Sequence, residues 1–297
     1  MGIFTYCRET RFVWSALASL VTANASAQSV PTIDTEDATL GSAKISRRGT
    51  VHPLLAFDIR NGDFARGNYD DDRADLERLP VHAQLGVAVD LTLAPNGEAT
   101  SWLTLRSSNG FHAPAIGDLS APRIWYESNN LAALVFTPMA GMRTAVVYTI
   151  KTSPNGVSAT THEASLSFAY DGDDAVGSLS PSLVVTTRPK GDHGVFTQAA
   201  IEPGFDLTKR EDGLKVSIPV AIGRGWSGFY GAGSGDRSYV SIGAALEQPF
   251  LLGAKHWGIR LEALAVVRDD RLAALSGPRG ETGTVVPLIT WSVSGTY

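Results

Sequence analysis

From about residue 53 to the last residue, apolar and polar positions alternate with a period of two. The clearest run is Val81, Ala83, Leu85, Val87, Val89, Leu91 and Leu93, interleaved with His82, Gln84, Gly86, Ala88, Asp90 and Thr92. Side chains of a strand point to opposite faces in turn, so this run predicts a strand with one greasy and one polar face. It also exceeds the common globular strand of roughly five or six residues. The same two-faced pattern recurs in Leu214, Val216, Ile218, Val220 and Ile222, in Trp257, Ile259, Leu261, Ala263, Ala265 and Val267, and in Ala164, Leu166, Phe168 and Tyr170. Weaker copies cover 53–60, 98–108, 129–138, 142–152, 177–188, 194–208 and 236–249, and a last strand runs to the chain end. Together they predict about twelve strands and an all-β fold.

The connections between these strands alternate in length. The stretches 61–79, 109–128, 225–235 and 269–280 are long and fall on one side; 94–97, 138–141, 171–176, 208–212 and 251–255 are shorter and fall on the other. Two connections on the long side, 153–156 and 189–193, are short exceptions. Bacterial membrane barrels pair short periplasmic turns with longer external loops and an even strand number. A closed antiparallel up-and-down transmembrane β-barrel, with both ends on the periplasmic side, is therefore expected. Pro203, Pro219 and Pro287 fall inside proposed strands, where each lacks a ladder donor and calls for a bulge or a boundary position.

The start of the chain is different. Arg8 and Arg11 precede a short apolar stretch, Phe12 to Ala23, and Ala25-Ser26-Ala27 supplies a small-residue cleavage pattern. Residues 1–27 thus read as a signal peptide, residues 28–50 as a flexible leader, and 51–297 as the barrel. Cys7, the single cysteine, lies in the signal, so the remaining chain is without thiol chemistry. Without Arg8, Arg11 and Glu9, 23 basic and 29 acidic residues remain, a net charge of −6, which gives no support to nucleic-acid binding.

Charge falls on the polar row. Asp58, Arg60, Asp90, Arg106, Arg143, Lys151, Glu163, Arg188, Glu202, Asp206, Lys215, Glu247, Arg260, Glu262 and Arg268 are expected inside the barrel, where they would line a pore or fill it with ion pairs. An Arg or Lys facing lipid at mid-membrane costs about 2–4 kcal/mol, which a polar interior avoids. The near balance of sign argues against strong ion selectivity, and twelve strands leave less room than the 16–18 of open porins.

Ile289, Trp291, Val293 and Tyr297 share one face of the final strand, with an aromatic residue at the very end. This resembles the C-terminal assembly signal of Gram-negative outer-membrane β-barrel proteins, in which phenylalanine is usual at the last position. The resemblance implies the barrel-assembly machinery, outer-membrane lipid and lipopolysaccharide as partners. With the polar row it implies a porin-like passage for small hydrophilic solutes. A second resemblance is local. Arg106-Ser107-Ser108-Asn109-Gly110 is similar to the His-x-Ser-Asn-Gly motif of outer-membrane phospholipase A, which would make Ser108 a nucleophile. Arg106 stands where that family has its histidine base, and an arginine, always protonated, cannot accept the serine proton. His112 is near in sequence but displaced. A third alternative is a non-conducting structural or adhesive barrel.

The stretch Asp70-Asp71-Asp72 with Asp75 and Glu77 is acidic, but Arg66, Arg73 and Arg78 intersperse it and predict a solvated, self-paired loop. Gly223, Gly225 and Gly228 spell a dinucleotide fingerprint without the βαβ setting it needs. The six histidines (His52, His82, His112, His162, His193 and His256) are dispersed, with no metal-ligand spacing. No cofactor and no metal is expected.

Overall fold

The computed structural model describes residues 51–62, 64–69, 79–94, 99–114, 121–190, 193–208, 213–252, 255–275 and 283–296. The export segment, the leader, the acidic stretch from Asp70 to Glu77, the Asn96-Gly97 turn and Tyr297 lie outside these residues.

The strands are β1 (Val51–Arg60), β2 (Phe64–Ala65), β3 (Asn68–Tyr69), β4 (Val81–Leu93), β5 (Ala99–Phe111), β6 (Trp125–Met139), β7 (Met142–Thr152), β8 (Thr161–Tyr170), β9 (Ser182–Lys190), β10 (Val195–Ile201), β11 (Gly204–Asp206), β12 (Lys215–Ser217), β13 (Val220–Trp226), β14 (Arg237–Leu252), β15 (Lys255–Arg268) and β16 (Val285–Thr296). Apart from the small hairpin β2–β3, neighbours in sequence pair antiparallel around the molecule, and β1 closes the ring on β16, with Phe57 opposite Val293. Closure removes both sheet edges, so every ladder donor and acceptor of the wall has a neighbour.

Twelve barrel strands result, because β10 with β11 and β12 with β13 are each one strand interrupted once. The interruptions fall at Pro203 and Pro219, the residues that cannot donate to a ladder. The break is local: the amide of Ile218 donates to the carbonyl of Pro203 at 3.0 Å, and that of Gly243 to Pro219 at 3.0 Å. Pro287 needs no break. Its carbonyl accepts from the side chain of Asn61 at 3.0 Å, so it faces the stretch beyond the end of β1, where no ladder bond is lost.

The strand limits differ from the sequence expectation at some ends. Residues 177–179 form a 3-10 turn, and β9 begins only at Ser182. β5 and β6 extend to Phe111 and back to Trp125, into stretches expected as loop. The long connection after β15 carries a short helix, α1 (Asp270–Ala273), capped by the Asp269 side chain accepting from the amide of Leu272 at 2.7 Å.

Every barrel strand sends large apolar side chains outward. Phe57, Leu85, Leu105, Leu134, Val146, Leu166, Leu183, Ile201, Ile222, Ile242, Leu261 and Ile289 come one from each wall strand, and all are exposed. Their neighbours along the chain face inward and carry most of the polar and charged residues of the wall. Two buried clusters lie on the inward side. One joins Leu131, Ala133, Val135, Ala145 and Val147 with Trp102 along β5–β7. The other gathers Phe64, Phe196, Phe229, Tyr239, Val266, Leu272, Val286 and Leu288 from wall strands, loops and α1.

Candidate functional site in the barrel interior

The first long connection turns back into the barrel. Its hairpin β2–β3 is closed by Arg66 and Gly67, with φ of 52° and 81°. Two successive positive φ values match the tight turn that suits a twisted hairpin, where Asn-Gly is the usual pair. An arginine there carries a backbone cost, and its side chain shows what offsets it. Arg66 reaches across the lumen to Glu163 on β8, Nη1 donating to Oε1 and Nη2 to Oε2, each at 2.7 Å. Both side chains are buried, Glu163 completely. A forked, charge-assisted pair is the strongest geometry available to these groups.

The surroundings of this pair are built from several elements. The Arg66 guanidinium lies 5.1 Å from the ring centres of Phe196 on β10 and Phe229 in the 227–236 loop. Arg188 on β9 donates from Nε to Glu163 Oε1 at 3.1 Å and from Nη1 to the carbonyl of Phe229 at 2.6 Å. Tyr230 Oη donates to the carbonyl of Arg66 at 2.7 Å, and Arg268 Nη1 to that of Gly67 at 3.3 Å. Gly67 is tightly enclosed: a Cβ there would sit 2.5 Å from the Tyr239 ring and 2.8 Å from Leu272. Since Glu163, Phe196, Tyr239 and Arg268 all lie on the inward parity of their strands, the hairpin tip sits inside the barrel, against the wall opposite its own origin.

A second cluster lies beside it on β1, β4 and β6. His82 meets Asp58 through Nδ1 at 2.9 Å and Tyr126 Oη through Nε2 at 2.6 Å. Arg60 Nε donates to Asp58 Oδ1 at 2.8 Å, and His112 stacks on the Tyr126 ring at 4.4 Å. Glu127 faces the same histidine at 3.5 Å and takes a short hydrogen bond from Asn129. A third cluster lies lower in the barrel. Arg260 Nη1 pairs with Glu202 at 2.7 Å, its Nη2 pairs with Glu262, and Glu247 stands 4.0 Å away. The Oγ of Ser217 donates to Glu202 at 2.6 Å.

Of the fifteen charged residues expected inside, Asp58, Arg60, Glu163, Arg260, Glu262 and Arg268 are buried. The fold brings Asp58 to Arg60, Glu163 to Arg188, Glu202 and Glu262 to Arg260, and Asp206 to Lys215 at 4.0 Å. It gives others partners outside the set: Asp90 meets His52 at 3.0 Å, and Arg143 meets Asp171 at 2.7 Å. Ser108 is buried on the inward side between Gln84 and Asn129, so a lipid ester could reach it only through the lumen. Gly223 and Gly225 serve packing, because a Cβ would lie 2.2 Å from Tyr239 at the first and 2.4 Å from Tyr230 at the second. Trp291 and Val293 are on the outward row of β16.

Tyr126, Phe196 and Phe229 carry the interior and do not stand out in the sequence pattern; His82, one of the six dispersed histidines, joins Asp58 to Tyr126; and Arg66, expected in a solvated, self-paired loop, is instead buried against Glu163. Nothing local points to Glu163 as its partner, 97 positions away.

A closed wall with an apolar belt on every strand cannot be covered by water without exposing a very large apolar patch, whereas lipid covers it at no such cost. The architecture is that of a closed antiparallel up-and-down β-barrel. No protein-family model and no curated protein matches the sequence. Among solved structures, the chain is similar to a bacterial polysaccharide outer-membrane secretin at 11% identity, covering 84% of this chain and 98% of that one with a TM-score of 0.44. It is also similar to the translocator domain of the autotransporter NalP from Neisseria meningitidis, at 7% identity over 84% and 88% of the two chains, TM-score 0.41. A Pseudomonas aeruginosa FadL homologue matches at 10% identity over 91% and 95%, TM-score 0.38. Closure of the ring and the outward apolar belt are features of the chain's own structure.

Proposed function

We propose that this barrel is an outer-membrane channel for small hydrophilic solutes whose outer half is closed at rest by the β2–β3 hairpin. The observation that carries this reading is the Arg66–Glu163 pair, made between a loop and the far wall. Separating a pair within the wall moves only side chains, because the ladder holds both strands in place, whereas separating a pair between wall and loop frees the loop itself to move. The polar inward row supplies the hydrophilic surface for solutes once the hairpin has moved.

The test is conductance in planar bilayers with the purified, folded barrel. Wild type should be mostly silent with rare openings, and Arg66→Ala should stay open much of the time. A large steady conductance in wild type, or an Arg66→Ala variant as silent as wild type, would overturn the reading. The dense aromatic cluster favours a second reading, a sealed barrel that acts only through its outer surface. It predicts silence in every hairpin variant and a weakened envelope in cells lacking the protein.

A further inference from the structure

The seat occupied by the Arg66 side chain has the chemistry of a receptor for a guanidinium group, assembled almost wholly from parts that stay behind when the hairpin moves. Glu163, Arg188 and Phe196 belong to β8, β9 and β10, which are fixed in the wall ladder. Phe229 is in a loop, but Arg188 holds its carbonyl at 2.6 Å. Glu163 offers two oxygens to one planar fork, each at 2.7 Å, and two phenyl rings stand 5.1 Å from the cationic carbon. Such rings favour a cation over a neutral group of the same shape.

We propose that the same seat binds the guanidinium group of a small solute entering from outside, which replaces Arg66 on Glu163 and so releases the hairpin. The proposal rests on the channel reading and deepens it by naming the solute class. Arg66 is then a built-in stand-in for the solute. Its backbone supports that role. At φ 52° the residue is held in a conformation costly for an L side chain, so an untethered guanidinium fills the seat without that cost. Selectivity follows from the fork. A guanidinium can donate to both carboxylate oxygens in parallel, whereas an ammonium is a point charge that cannot match the pair. Urea has the planar shape but not the charge. Arg188 already shares Oε1 at 3.1 Å, and its guanidinium also rests on the face of the Phe229 ring, 4.1 Å away. The seat therefore tolerates a second cation, as it does with Arg66 present.

The experiment uses the full-length folded barrel in detergent micelles and methylguanidinium chloride as the probe, beside methylammonium chloride and urea at equal concentration. In Arg66→Ala, methylguanidinium at millimolar concentration, the range of a single weak contact set, should raise the unfolding midpoint while the conductance stays open. Methylammonium should need roughly tenfold more for the same rise, as expected for a fork reduced to one contact, and urea should not raise it. The double variant Arg66→Ala/Glu163→Gln should lose the response. Equal effects of the three probes, or no effect of methylguanidinium on an Arg66→Ala barrel that retains its heat-modifiable gel migration, would overturn the proposal. If Arg66→Ala does not assemble, Arg66→Lys takes its place. There methylguanidinium should outcompete the tethered ammonium and open the channel, and failure to do so counts against the site. The two readings fail separately. A variant that conducts but ignores methylguanidinium removes the site and leaves the channel; one that gains stability from it but never conducts removes the channel and leaves the site.

Discussion

The two halves of the lumen are filled in different ways. In the outer half, side chains from loops meet the wall: Phe64 and Arg66 from the first connection, Phe229 and Tyr230 from the 227–236 loop, and Leu272 from α1. In the lower half the described contacts run from wall strand to wall strand. Arg260 gathers Glu202 and Glu262, and Trp102 packs on the apolar face of β6 and β7. When a wall-to-wall contact separates, the strands that carry it stay where the ladder holds them. A loop-to-wall contact can be broken while the ladder stays intact, so any motion that opens this barrel is concentrated at its outer end.

The sharpest way to break this contrast is Arg66→Ala. Removing one partner of a buried pair leaves the other charge poorly compensated and costs about 3–5 kcal/mol. Chemical unfolding in micelles should show the loss, and bilayer recording should show the opened outer half. A loss no larger than that of an exposed substitution would mean that the hairpin does not hold the outer half together.

The distinction between outward and inward faces is tested by neighbouring substitutions at the middle of β5. Leu105→Arg puts a charge against lipid and should destabilise the barrel by about 2–4 kcal/mol. Thr104→Arg, on the inward parity, should cost much less. Equal losses, measured by folding into vesicles, would remove the case for a lipid-facing belt. A smaller effect is expected from Ser165→Ala on the wall itself. Its Oγ lies 2.8 Å from Thr186 Oγ1, both buried, and losing that bond should cost about 1 kcal/mol.

The smallest effect concerns pH at the outer rim. A hydrogen bond from Arg224 and one from the amide of Ser227 hold the Asp236 carboxyl below its ordinary value of 3.8. A depressed folded pKa stabilises the fold above the unfolded value, and the gain is lost as pH falls through the folded one. Unfolding midpoints measured downward from pH 5 should therefore drop slightly less in Asp236→Asn than in wild type. An identical decline in the two proteins would show that the contact contributes nothing.

Much of the wall could be read from the chain because a strand reports its two faces locally. Glu163, Arg188 and Arg260 were placed on the inward row by counting alternate residues, and β7, β8 and β15 follow the expected parity throughout. The ends of strands were less legible. Gly177 to Leu179 alternates like a strand yet forms a turn, and Phe111 and Trp125 extend strands into what composition marks as loop. Pro203 and Pro219 were signals of irregularity, and the two breaks fall on them.

Alternation along each segment by itself indicates which side of the wall most strand residues face, because successive side chains point oppositely and only one row can meet lipid; it fails at bulges, as where Tyr126 and Glu127 both meet His82. Sequence could not tell that Arg66 sits on Glu163, that His82 joins Asp58 to Tyr126, or that Phe229 and Leu272 reach Phe196 and Phe64. Those contacts exist only after β1 has closed on β16 and set β8 opposite the first loop. They depend on distances across the ring, and no local pattern encodes a distance that ring closure creates.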